Sequence, residues 1–107
     1  MRMKEKIKRP RGEEGHEILE RDRATSILLT RTVYDESNVV LYLANFSVKT
    51  TLLINATSYF SKDVKADVLE RDEDTGALLK RTFFNKDGSI LDIVYYDIKT
   101  GRALDEV

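Results

Sequence analysis

His16 is the only histidine and there is no cysteine in the 107 residues. A metal centre or a nucleophilic triad would therefore have to draw on carboxylates and hydroxyls. The acids that could serve are grouped: Glu20-Arg21-Asp22 recurs as Glu70-Arg71-Asp72, followed by Glu73 and Asp74. Such clusters can offer several oxygens to Ca²⁺ or Mg²⁺. The run Asp72-Glu73-Asp74-Thr75-Gly76 lacks the downstream bidentate glutamate of a calcium loop, and Asp shortly before Gly is turn chemistry. The intervening arginines can pair with acids across strands. Asp67 and Asp92 fall at equivalent positions, but a glycosidase wants an aromatic-lined cleft and the chain has no tryptophan. A solvated face accounts for them, and a partly buried strand position for His16. No catalytic, metal or cofactor site is expected, and enzyme activity ranks last.

Charge is distributed unevenly around a net of −1. Arg2, Lys4, Lys6, Lys8, Arg9 and Arg11 against Glu5 give residues 1–12 a charge of +5, leaving −6 for residues 13–107. Pro10 and Gly12 close the basic segment, so it is expected to be a flexible arm or a short helix preceding a single domain of residues 13–107. It can neutralise phosphates, and Tyr34, Phe46, Tyr59, Phe60, Phe83, Phe84, Tyr95 and Tyr96 supply rings for stacking on bases. Most of these rings alternate into core positions, however, and the rest of the chain is acidic. The N-terminal sequence lacks the apolar segment of a signal peptide, and no apolar run reaches the roughly 20 residues of a membrane helix. A soluble, cytoplasmic protein is expected. Asn45-Phe46-Ser47 and Asn55-Ala56-Thr57 match the glycosylation pattern by coincidence on that reading.

The elements behind these residues follow from a repeat. Residues 18–50 align without gaps on residues 68–100 with 12 identities in 33 positions, where unrelated segments would give roughly two. The unit is finer: Thr25, Thr50, Thr75 and Thr100 recur every 25 residues. Leu28/Leu53/Leu78, Thr32/Thr57/Thr82 and Tyr34/Tyr59/Phe84 form columns separated by four and then two residues, which places each set on one face of a β-strand. Val39-Leu41-Leu43, Val64-Ala66-Val68 and Ser89-Leu91-Ile93 show the same spacing of two. Turn chemistry separates the segments at 35–38, 61–63, 85–88, 74–76 and 99–101. Strands are expected near 16–21, 27–34, 39–45, 52–59, 64–70, 77–84, 89–96 and 101–105. The fold class is all-β, an antiparallel meander of hairpin repeats forming a strongly curved sheet or a small up-and-down barrel.

The segment Tyr96-Asp97-Ile98-Lys99-Thr100-Gly101-Arg102-Ala103-Leu104, after Asp87-Gly88, resembles the tandem β-hairpin repeats called YD or RHS repeats, and also a phytoplasma repeat family of unknown function. The resemblance covers residues 72–107 well. Earlier copies have Ala24-Thr25-Ser26 and Lys49-Thr50-Thr51 in place of Thr-Gly. It implies a β-sheet array used as a shell or an interaction surface, with no catalytic residues to carry over.

The leading expectation is a non-enzymatic protein-binding or assembly module, with a homodimer among its forms. A phage or mobile-element protein acting on a host factor would have this size. The alternatives are nucleic-acid binding through the basic arm and exposed aromatics, and a β-barrel holding a small apolar ligand. Candidate partner-binding residues are those where the copies disagree: the six basic residues of the arm, His16, Tyr42 in the column of Asp67 and Asp92, and Phe46 in the glycine-free connection from Asn45 to Thr51.

Overall fold

The computed structural model describes residues 4–10 and 15–104. They form β1 (Lys4–Pro10), β2 (His16–Asp22), β3 (Leu28–Tyr34), β4 (Val40–Phe46), β5 (Leu53–Ser61), β6 (Val64–Arg71), β7 (Leu78–Phe84) and β8 (Ile90–Tyr95). All eight lie in one antiparallel sheet in chain order. Among the described residues there is no helix, and so none long and apolar enough to cross a membrane. The sheet curls but does not close, so the expected alternative of a barrel is not formed. Closure would pair β1 with β8, setting Lys-Glu-Lys-Ile-Lys-Arg against Ile-Leu-Asp-Ile-Val-Tyr, a poor match of charged and apolar side chains.

Two further differences from the expectation concern the ends. Lys4–Pro10, expected within a flexible arm, pairs along its length with β2. The reason is cross-strand charge: Glu5 stands opposite Arg21, Lys6 opposite Glu20 and Arg9 opposite Glu17, while Ile7 meets Leu19. Arg2 and Arg11 lie outside the described residues. At the other end, the strand expected at 101–105 is reduced to an isolated bridge between Tyr96 and Ala103.

The 25-residue period is written in the backbone. Loops after Asp22, Ser47, Asp72 and Asp97 close with the same pair of hydrogen bonds, as in Asp72 N–H to Ala77 O at 2.7 Å and Gly76 N–H to Asp72 O at 2.9 Å. The fourth loop repeats this from Asp97 to Arg102 at 2.8 Å. In each, the first residue's side chain accepts from the backbone N–H three residues on: Thr25, Thr50, Thr75 and Thr100. Each of those threonine hydroxyls accepts the N–H two residues further on. This explains why threonine recurs at that interval. Gly76 and Gly101 have positive φ there, as do Ser26 and Thr51 at φ 64° and 66°. The glycine-free copies thus adopt the same loop and carry its strain.

Each strand pairing except β1–β2 contains a register shift near one end. Those at Glu20/Arg21, Asn45/Phe46 and Glu70/Arg71 lie one repeat apart. Such bulges increase local twist and so favour a curled sheet. The layer is thin: its radius of gyration is 15.6 Å, against about 13 Å for a compact domain of this length.

Direct pairing sorts the side chains into rows that cross the whole sheet. One face carries Arg9-Glu17-Val33-Tyr42-Ser58-Asp67-Phe83-Asp92 beside Ile7-Leu19-Arg31-Ala44-Ala56-Leu69-Arg81-Val94. The opposite face carries Lys8-Ile18-Thr32-Leu43-Thr57-Val68-Thr82-Ile93. The buried apolar residues Leu19, Val33, Ala44 and Ala56 belong to the first face, as does Leu29 by alternation along β3. The core therefore sits on one face of β2–β5, and the C-terminal strands contribute little to it.

Candidate interaction site

Among the described residues β8 is an edge whose outer side is met only by the short return at Ala103 and Leu104. Tyr96 N–H bonds inward to Leu79 O on the β7 side, whereas Tyr95 O accepts from Leu104 N–H on the outer side at 2.7 Å. Alternation along the strand then turns the backbone groups of Ile93 outward, whereas Leu91 falls in the register shift and is skipped in the pairing with β7. The surrounding side chains are apolar and open to solvent: Ile90, Leu91, Tyr95, Ile98 and Leu104 are 56%, 65%, 51%, 49% and 50% exposed. A bare ladder flanked by apolar side chains is a template for another strand. Because it lacks catalytic groups, its available chemistry is main-chain hydrogen bonding and apolar burial.

An electrostatic pattern leads to the same edge. In the first copy Glu17 is buried and receives Arg31 Nε at 2.8 Å and Arg9 Nη2 at 3.3 Å. The hydrogen bond from Arg31, joined by the charges of both arginines, holds its carboxyl below the usual glutamate range against the opposing effect of burial. In the third copy Asp67 receives Arg81 Nε at 2.9 Å, and that guanidinium also lies 4.8 Å from the Phe83 ring. The second copy replaces acid and arginine together, by Tyr42 and Ala56. The fourth keeps the acid, Asp92, which accepts the N–H of its own neighbour Ile93 at 2.9 Å.

The residues expected to bind a partner do not converge. Lys6, Lys8 and Arg9 lie on β1, with Lys6 and Arg9 opposite acids of β2; Lys4 is at the start of that strand. His16 stacks on Tyr34 at 4.7 Å between ring centres. Its row is on the face opposite Tyr42, because the paired residues Tyr34 and Val33 alternate along β3. Phe46 ends β4 at the far end of the sheet from His16 and occupies the loop-entry position held by Arg21 and Arg71 in other copies. Those two arginines donate to Ser26 O and Gly76 O at 3.3 and 2.9 Å, which explains the repeated Glu-Arg-Asp. Sequence reasoning passed over Ile90, Leu91 and Ile93 as edge residues, although their one charged neighbour within β8 is Asp92.

The remaining acids serve the turns. Asp72 accepts from the N–H and hydroxyl of Thr75 and from Asp74 N–H, bonds that lower its carboxyl from the usual range. Asp87 is lowered through the hydroxyl and N–H of Ser89. Two open depressions, of about 360 and 260 Å³, lie among the hairpin turns and are lined by residues including Lys65, Phe84 and Lys86 in one and Val39, Tyr59 and Lys62 in the other. Neither is a barrel interior.

Residues 59–106 match the model of a family described as a protein of unknown function, DUF2963. No curated protein matches the chain. The family match spans the end of β5 through β8 and the loop beyond it, including both turns in which glycine follows threonine.

Proposed function

We propose that the protein is a non-enzymatic binding module that accepts an extended strand of another protein along the outer edge of β8. The observation that carries this reading is the outward backbone of Ile93 on the last strand of the sheet, among exposed Ile90, Leu91 and Tyr95. Strand addition uses such an edge, with main-chain bonds supplying affinity and alternate side chains supplying selectivity. A two-fold pairing of two copies centred on the free stretch would set Asp92 against Asp92, which favours a different polypeptide over a homodimer.

The test compares tagged wild type, Ile93→Pro and Lys6→Glu/Lys8→Glu in capture from the native cell, followed by reconstitution with the purified captured protein. Ile93→Pro removes an outward N–H while leaving the inward ladder to β7 intact. Loss of the complex with that variant alone is the expected result. Equal binding by all three proteins excludes β8 as the binding edge.

A further inference from the structure

We infer that the two clefts between the hairpin turns form a further binding site, separate from the β8 edge. Its ligand is a polyproline II segment with apolar side chains three residues apart and an acid beside one of them.

The two clefts are copies of one another. Seven residues from Ser37 to Asp63 line the smaller and seven from Asp63 to Gly88 line the larger; six of the first set have their counterpart 25 positions on in the second. Each cleft has a ring of the same repeat column, Tyr59 or Phe84, and a valine from the turn before it, Val39 or Val64. In the first copy that column holds Tyr34, and His16 lies stacked on it at 4.7 Å between ring centres. An aromatic at this position thus presents a face on which a flat ring packs.

Repetition also sets the spacing. Tyr59 and Phe84 stand on β5 and β7 with β6 between them, so the clefts are about 9.6 Å apart, twice the distance between neighbouring strands. A polyproline II helix advances about 9.3 Å in one three-residue turn, and residues i and i+3 project from the same side. Residues i+1 and i+2 point away, which clears Asp63, the residue shared by both clefts. An extended strand repeats a face at about 6.8 Å and falls short. An α-helix bridges the gap from i to i+7 only by pressing i+3 and i+4 onto the hairpin between. Polyproline II carries no internal hydrogen bonds to disturb, and it enters an aromatic-lined groove already ordered.

Charge places the acid. The rims carry Lys62, Lys65 and Lys86 against Asp63 and Asp87, a balance of +1. The Asp87 carboxylate is turned to the N–H and hydroxyl of Ser89, at 2.8 and 2.6 Å. Lys65 and Lys86 both border the larger cleft, and Lys86 Nζ stands 5.9 Å from the centre of the Phe60 ring. A ligand acid is therefore matched beside the side chain that enters the larger cleft.

The probe is the labelled peptide Pro-Leu-Pro-Pro-Leu-Glu-Pro, titrated into full-length protein by anisotropy and located by methyl spectra. Wild type is expected to bind it saturably, with the Val39 and Val64 methyls shifting together. The isomer Pro-Leu-Pro-Leu-Pro-Glu-Pro should bind about tenfold more weakly, because only one leucine then finds a cleft. Lysine in place of the glutamate should weaken the parent peptide about threefold, and Lys65→Glu/Lys86→Glu should reverse that preference. Lys65 and Lys86 are exposed, so this variant keeps the fold. Absence of saturable binding, or equal binding of the two leucine spacings, overturns the proposal. Shifts confined to Ile90 and Ile93 overturn it while supporting the edge reading. Indifference to glutamate or lysine overturns the assignment of the acid.

Discussion

The two edges of the sheet solve the problem of an unpaired strand in opposite ways. β1 carries Lys6, Lys8 and Arg9, whose charges are offset towards the inside by Glu20 and Glu17; facing outward, they disfavour a further strand. β8 carries Ile90, Leu91, Ile93 and Val94 with a single acid. Burial follows the same division: Glu17, Leu19, Asp22, Leu29, Val33, Ala44 and Ser47 are buried in the N-terminal half, against Ala56 and Thr82 in the C-terminal half, among the described residues. The sheet is anchored at one end and exposes apolar side chains at the other, so burial and open apolar surface occupy separate strands of one repeated design.

The strongest way to break this comparison is to exchange the characters of the edges. Leu91→Lys/Ile93→Lys gives β8 the guard that β1 has, and partner binding should be abolished with little change in melting temperature. Lys6→Val/Lys8→Val strips that guard, and sedimentation should then show self-association. A smaller effect concerns the ion pairs. Arg31→Ala leaves a buried Glu17 carboxylate with only Arg9 and should cost about 2–3 kcal/mol in denaturant unfolding. Arg81→Ala, beside the more accessible Asp67, should cost about 1 kcal/mol. Equal losses would mean that the two ends are equally anchored.

Next in size is the loop strain. Thr51→Gly relieves a β-branched residue at φ 66° and should add about 1 kcal/mol of stability. Gly76→Ala should subtract a similar amount, about 1 kcal/mol, because its Cβ would also lie 3.0 Å from Leu52 Cδ1. The smallest effect is on pH dependence. The Glu17 carboxyl is lowered in the folded state, chiefly by Arg31, so the unfolded chain binds more protons as the solution is acidified. Its stabilisation is complete above about pH 5 and is lost as pH falls through the carboxylate range towards the folded value. Glu17→Gln should flatten that acid limb in thermal melts recorded from pH 6 downward.

The meander was legible in the sequence because its signals are local. Alternation located β2–β8 to within one or two residues, and the Asp, Thr and Gly of each connection act within a few residues of one another. β1 was not legible because Lys-Glu-Lys-Ile-Lys-Arg becomes a strand through the acids of β2, and a lone basic run carries no sign of them. Closure was undecidable for a related reason, since it depends on whether the first and last strands suit each other. Glycine was a misleading marker: Ser26 and Thr51 adopt the conformation of Gly76 and Gly101, so the loops are more regular than their residues. The column of Tyr42, Asp67 and Asp92 could be read directly. That the acid of this column takes an arginine from the next strand emerged only from the diagonal pairs of Arg31 with Glu17 and Arg81 with Asp67.

β1 differs from the odd strands it follows in one further respect. The repeat would set Ile7 opposite Ile18, as Thr32 is opposite Leu43, yet Ile7 stands opposite Leu19. A slip of one residue turns every side chain to the other face. The slip puts Ile7 on the face of Leu19 and Ala44, and sets Lys6 and Lys8, which the period alone would have placed there, on the opposite face. Repeat arrays with matching ends can grow into fibres, since each added copy recreates the site it consumed. Here the first strand has left the phase of the repeat, so a β1 edge carrying Lys6 and Lys8 does not reproduce the surface that β8 offers.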